Sequence, residues 1–189
     1  MSSDEILTVS LKIIQKEGLE KLSMRRIASV LKCSVASPYA YFENREEIIK
    51  ELILSGERKL TMDLKNAREA ITSEDVYARL IAVAHTYWNF AVENKELHKL
   101  MVNQRGGFLS TVFGSLPTSY RVYLDTVRSL FKAKEISTRN LKYSAVARTM
   151  WAWIYGLIVL EMNGMIKVKK DQDIIKEGVE LFKISLSKL

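Results

Sequence analysis

The chain has 189 residues, 48% of them apolar, and a net charge of +7 from 29 Lys and Arg against 22 Asp and Glu. Glycine and proline are scarce, eight and two residues, which excludes a loop-rich or disordered chain and favours packed helices in one large or two small domains. The basic balance suits a polyanionic partner, and a single cysteine, Cys33, excludes an intrachain disulfide and suits a reducing compartment.

The start, Met-Ser-Ser-Asp-Glu, lacks the basic and apolar regions of a signal peptide. Ile6, Leu7, Leu11 and Ile14 then share one face of a first helix, with Asp4 and Glu5 near its positive end and Gly18 as its stop. From Leu22 to Phe42 the pattern is two short helices joined by a tight turn. Ser23 is a good N-cap, with Ile27, Val30 and Leu31 at helical spacing behind it; Lys32 and Cys33 form the turn. The second short helix runs into Tyr39, Tyr41 and Phe42. Its start has two descriptions, a Ser34 cap with Pro38 as the fourth helical residue, or a Ser37 cap with Pro38 as the first. Lys21, Arg25, Arg26, Lys32 and Arg45 crowd the edges. Two short helices, a tight turn and a cationic rim are the parts of a helix-turn-helix that enters a DNA major groove.

Asn44 with Glu47 caps a long helix carrying Ile48, Ile49, Leu52, Ile53, Leu60 and Leu64. Thr72 and Asp75 repeat the capping pattern ahead of Val76, Leu80, Val83, Tyr87 and Phe90. Leu97, Leu100 and Met101 mark a shorter helix, and the stretch from Gly106 to Pro117 reads as a loop. Helices follow from Pro117, from Ser137 or Thr138, and from Asp171. The expected architecture is all-α with about nine helices. A three-helix DNA-binding domain over residues 1–47 precedes a helical-bundle ligand-binding and dimerisation domain over 48–189. The longest apolar run, Met150 to Val159, is broken by Tyr155 and Gly156 and is too short to span a bilayer, so a cytoplasmic protein with no membrane partner is expected.

Ser23-x-x-x-Ile27-Ala28, then Ser34, Tyr39-x-Tyr41-Phe42, Asn44-Arg45-Glu46 and Ile48, resemble without gaps the N-terminal signature of the TetR family of one-component transcriptional repressors. Lys32 stands where that family usually has Gly, and Val35 and Ala36 where it commonly has Lys and Gly. Further on, Tyr87-Trp88-Asn89-Phe90-Ala91, Glu93-Asn94, Glu96-Leu97 and Leu100-Met101, with Trp151-x-x-x-Tyr155-Gly156, resemble the ligand domain of a TetR subgroup that has Trp-x-x-x-His-Gly. Tyr155 replaces the His.

At the recognition helix, Val35 and Ala36 can offer only apolar contacts to bases, such as a thymine methyl, while Ser37 can donate or accept. The resemblance implies that Arg25 reads a base, bidentately if it meets guanine, and that Ser23, Ser34, Tyr39, Tyr41 and Arg45 hold phosphates of double-stranded DNA. Phe42 is expected in the core, and Cys33 is expected as a buried structural thiol. His85 and His98, the only histidines, lack the neighbours of a metal site. No cofactor and no catalytic constellation is indicated. The TetR likeness implies a small-molecule effector cavity lined by Trp88, Met101, Phe108, Tyr123, Trp151 and Tyr155, for a hydrophobic or aromatic ligand, a cationic one included. The expected function is a homodimeric repressor of a near-palindromic operator, released by that effector. The rivals are a constitutive DNA-binding protein, and a helical-bundle enzyme or lipid carrier without specific DNA binding.

Overall fold

A computed structural model describes residues 1–72, 75–103, 117–133, 142–169 and 172–187. Among the described residues there are eight α-helices and two 3-10 turns, an all-α architecture as expected. The stretches read as a loop after Gly106 and as a helix start at Ser137 or Thr138 lie outside the described residues, as does Asp171.

The chain forms two compact units. The first, the head, holds Met1–Arg58 and the described part of 94–112. Helix α1, Ser3–Glu17, is opened by a capping box: Ser2 Oγ accepts from the Glu5 N–H at 3.2 Å, and the Ser2 N–H donates to Glu5 Oε2 at 2.8 Å. Ile6, Ile13 and Ile14 are buried along one face, while Leu7 and Leu11 lie at its margin. Gly18, at φ 93°, stops the helix. A 3-10 turn, Leu19–Lys21, leads to Ser23, whose hydroxyl accepts from the Arg26 N–H at 3.1 Å and caps α2, Met24–Leu31.

The buried face of α2 is Met24, Ile27 and Ala28. Val30, expected inside, is exposed, and Leu31 is half-buried. The i, i+3, i+4 stripe starts one turn earlier than the sequence suggested, because Met24 closes the core. Asn44 Oδ1 accepts from the Glu47 N–H at 2.9 Å at the start of α3, Arg45–Ala70, and the Glu47 carboxylate returns to the Glu43 N–H at 2.6 Å. Ile48, Ile49, Leu52 and Ile53 complete the core of the head. Packing therefore carries the head past residue 47. At Gly56 a Cβ would stand 2.8 Å from Met101 Sδ and 3.2 Å from Leu97. That close approach seats α5, Lys95–Asn103, with Leu97, Leu100 and Met101 buried.

The second unit, the body, comprises the later part of α3 (Leu60, Leu64), α4 (Val76–Glu93), α6 (Thr118–Lys132), α7 (Tyr143–Met162) and α8 (Ile174–Ser187). Asp75 Oδ1 caps α4 by accepting from Tyr77 and Ala78 at 2.9 and 3.1 Å. Asp173 does the same for α8 at Lys176, 2.9 Å, and pairs with His85 of α4 at 3.0 Å. Pro117 stands at the N-cap of α6 and not inside its first turn. Helix α7 buries Val146, Ala147, Met150, Ile154 and Ile158 on one face. By length and composition alone it is apolar enough to cross a membrane, which the broken run read from the sequence did not suggest, and 28% of its apolar window is buried. Leu160 on α7 and Leu181 and Ile184 on α8 are exposed.

The α2 face gives a direct check. Ile27, fully buried against Val30 at 42% exposed, should cost about 2–5 kcal/mol on truncation to Ala. Val30→Ala should cost less than about 0.5 kcal/mol. Urea denaturation of the two variants measures the contrast.

Candidate functional site

The segment expected to meet DNA is set by how α2 ends. Lys32 adopts the left-handed conformation, φ 54° and ψ 41°, and its N–H bonds the Ser29 carbonyl at 3.3 Å. The Cys33 N–H reaches the Ala28 carbonyl at 3.1 Å. This is a Schellman turn, and it places a lysine where glycine adopts the backbone without steric cost. Among the described residues Lys32 alone, apart from glycines, has a positive φ.

Beyond the turn the recognition segment is helical but not an α-helix. Its backbone bonds are mostly of the i to i−3 kind: Ser37 to Ser34 at 3.0 Å, Tyr39 to Ala36 at 3.2 Å, Ala40 to Ser37 at 3.2 Å and Tyr41 to Pro38 at 3.0 Å, with one α-type bond, Phe42 to Pro38 at 3.1 Å, at its end. Pro38 has no N–H to give the Ser34 carbonyl, so the first α-type bond cannot form and the tighter geometry takes over. Of the two descriptions of the helix start, the second holds in position: Ser37 stands at the N-cap of a 3-10 turn, Pro38–Ala40, with Pro38 first, although no side chain caps a backbone N–H there. Ser34 Oγ bonds to Ser37 Oγ at 2.8 Å instead of capping a backbone N–H, and Ser37 is already in the right-handed helical region. Pro38 and Phe42 are buried and fasten the inner face. Val35, Tyr39 and Tyr41 point outward, 49%, 53% and 41% exposed, with Ala36 and Ser34 exposed beside them and Ser37 half-buried.

The basic rim divides once its partners are seen. Arg26 is tied to Glu17 by two hydrogen bonds, at 2.6 and 3.0 Å, and that contact holds the Glu17 carboxyl below the usual range. Arg25, one residue earlier in the same first turn, is exposed and makes no ion pair among the described residues. Arg45 is turned inward: Nη2 donates to the Leu19 carbonyl at 2.8 Å, Nη1 lies 3.6 Å from Glu46, and Nε is buried without a partner. It braces the turn between α1 and α2 to the start of α3. The Tyr41 hydroxyl donates to the Met1 carbonyl at 2.7 Å. Cys33 is half-buried, not enclosed as expected, with Sγ 3.8 Å from the Ala28 carbonyl.

In the body, Trp151 sits among three tyrosine rings. Tyr87 stacks on it at 4.5 Å and 22°, Tyr120 meets it edge-on at 5.0 Å, and Tyr123 lies 5.1 Å away. The buried Tyr123 hydroxyl donates to the Ala147 carbonyl at 3.0 Å, and burial pushes its pKa up. Beside this cluster is an apolar space lined by Leu64, Leu80, Val83, Ala84, Tyr87, Tyr123, Met150, Trp151, Trp153, Ile154 and Val179. Its volume is about 10 Å³, enough for one water at most.

Of the expected ligand residues, Tyr123 and Trp151 line this space. Trp88 and Tyr155 are half-buried in the body and outside the lining; Met101 is buried in the head; Phe108 lies outside the described residues. Trp153, Leu64 and Val179 also line the space, although the sequence did not assign them to a ligand site. Trp153, two positions from Trp151, falls on a different helix face, and the other two come from distant segments.

A unit with an outward helix-turn-helix, in one chain with a second helical unit that has an aromatic core, is the plan of an all-helical DNA-binding regulator. The chain belongs to the TetR family. Residues 6–52 match the bacterial regulatory proteins, tetR family, and residues 80–181 match the tetracyclin repressor-like C-terminal domain. It is 24% identical over 146 residues to the HTH-type nicotine-responsive transcriptional repressor HdnoR of Paenarthrobacter nicotinovorans, covering 77% of this chain and 74% of that one. Its fold is similar to a tetR-family bacterial regulatory protein from Rhodococcus RHA1, with TM-score 0.71, 14% identity and 97% and 96% of the two chains covered. It is also similar to the TetR-family regulator PfmR from Thermus thermophilus, with TM-score 0.68, 17% identity and 96% of each chain covered. The protein is thus a transcriptional regulator with a helix-turn-helix DNA-binding domain, and not an enzyme.

Lys32→Gly should stabilise the head by about 0.5–1 kcal/mol, the steric cost of a left-handed non-glycine residue less the extra unfolded-chain entropy of glycine. Chemical denaturation of the variant against wild type measures it.

Proposed function

We propose that the protein is a cytoplasmic repressor that binds a near-palindromic operator as a homodimer and is released by a small apolar or aromatic effector. The observation that carries the DNA half is the outward row on one segment, Val35, Ala36, Tyr39 and Tyr41, next to an Arg25 free of ion pairs among the described residues, in a chain of net charge +7. Arg25 and Ser37 read base edges, with Val35 and Ala36 in apolar contact. The hydroxyls of Ser23, Ser34 and Tyr39 hold phosphates, and Tyr41 joins them by exchanging its bond to the Met1 carbonyl for one to a phosphate. Arg45 serves first as an internal brace, with only the outer part of its guanidinium left for a phosphate.

Dimerisation through α7 and α8 is supported by Leu160, Leu181 and Ile184, large apolar side chains exposed on helices whose other faces are buried. Light scattering at micromolar concentration should give twice the 21.7 kDa chain mass; a monomer contradicts it. Helix α3 carries Leu64 into the lining of the apolar space and Ile48 to Ile53 into the head. An effector that prefers one placement of α3 therefore biases the separation of two recognition segments, which must be roughly 34–36 Å for successive major grooves. The constitutive DNA-binding reading draws on the small volume of the space, and a ligand panel giving no thermal shift would favour it.

Selection of bound genomic fragments supplies the operator. On it, Arg25→Ala should cost about 1–3 kcal/mol and relax preference at one base pair per half-site. Equal weakening on all sequences would make Arg25 a phosphate contact instead.

A further inference from the structure

A space of about 10 Å³ admits no organic ligand, so one of its walls must move. Most walls are held. Tyr123 is pinned by its hydrogen bond to Ala147, and Trp151 is fixed by three rings. Trp153 is different. It is half-buried, and its one ring contact among the described residues is Phe182, itself half-buried, at 5.7 Å and 71°. Its indole lies on the backbone of α8 at Gly178, where a Cβ would come within 1.8 Å of Cζ2 and 2.1 Å of Cη2. The ring fits there only because residue 178 has no side chain.

We infer that Trp153 is the movable plug of the apolar space, seated on Gly178, and that a neutral planar ligand of about indole size takes its place when the ring swings out. This rests on the effector reading above and adds to it a ligand class and a way in. Neutrality follows from the walls: eleven lining residues include no acid and no base, so a charged ligand would be desolvated without a partner. The plug explains how a pocket too small for an organic ligand at rest still binds. Affinity is lowered by the small fraction of molecules with the ring out, and removing the ring removes that penalty. Expulsion of the ring also takes packing from Gly178 and Phe182, so occupancy loosens α8.

The test uses the full chain and two probes, indole and naphthalene, with affinities from equilibrium dialysis and thermal shift. Trp153→Leu should bind both at least ten-fold tighter than wild type. Gly178→Ala, which leaves the ring no seat, should also tighten binding, and should add nothing in the Trp153→Leu background. Trp88→Leu, a half-buried tryptophan outside the lining, should change nothing. Trp153→Phe, which keeps a ring against Phe182, should give a smaller gain and serves where Trp153→Leu does not fold. Under saturating naphthalene, wild-type amides from 178 to 186 should exchange several-fold faster. Binding by wild type that neither substitution alters, an equal gain in Trp88→Leu, or α8 amides slowed by ligand would overturn the plug and leave the effector site standing. No binding of either probe by any of these proteins would overturn the site itself, and the plug with it.

Discussion

The left-handed turn at Lys32 decides where the recognition segment points. Two backbone bonds, from Lys32 to Ser29 and from Cys33 to Ala28, close the end of α2, and the chain leaves in one direction only. A lysine there costs about 1–2 kcal/mol in backbone sterics. Burial of Pro38 and Phe42 just beyond offsets it, since both anchor to a core of Ile6, Ile14, Leu22, Ile27, Ile48 and Ile53 at 2% exposure or less. With its inner face fastened, the segment has no choice but to turn Val35, Tyr39 and Tyr41 to solvent. The same proline that anchors it forbids the first α-type bond, so the reading element is short, stiff and 3-10-like.

The body follows the opposite logic, enclosing its aromatics. Trp151 gathers three tyrosines, and the stacked and edge-on contacts make a rigid wall. Trp153, on the same helix, looks towards α8 and depends on the bare backbone of Gly178. One helix thus presents a fixed aromatic face and a looser one, while Leu160 stays outside. Close packing forbids a spare cavity in the resting core. Any ligand response in such a body has to displace side chains and cannot merely fill a hole.

Much of the head was legible because its signals are local. Gly18, the Ser23 cap, the Asn44 cap and the buried Phe42 each depend on neighbours within a few residues, and each stands where the sequence placed it. What failed to show involves distance or competition. Arg26 and Arg45 looked equivalent to Arg25 until their partners, Glu17 and the Leu19 carbonyl, nine and 26 residues away, were seen. Val30 was misplaced because an eight-residue helix offers too few turns to fix its buried face. At Pro38 two capping descriptions competed; the structure has Ser37 at the N-cap and Pro38 first, but with the serine hydroxyls bonded to each other and not to a backbone N–H. In the body, aromatic composition pointed to Tyr123 and Trp151, but pocket membership depends on which helices meet. The part that Leu64, Trp153 and Val179 take in this lining therefore does not show in the sequence, and Trp88, Met101 and Tyr155 lie outside it.

The outward segment matters only if it is presented twice, in register with one face of a duplex. Hydroxyl-radical footprinting on a selected genomic fragment measures that directly. Two symmetric protected stretches, displaced by about one helical turn of roughly 10–10.5 base pairs, are predicted. A single unsymmetrical stretch, or no protection even at low salt, would contradict it.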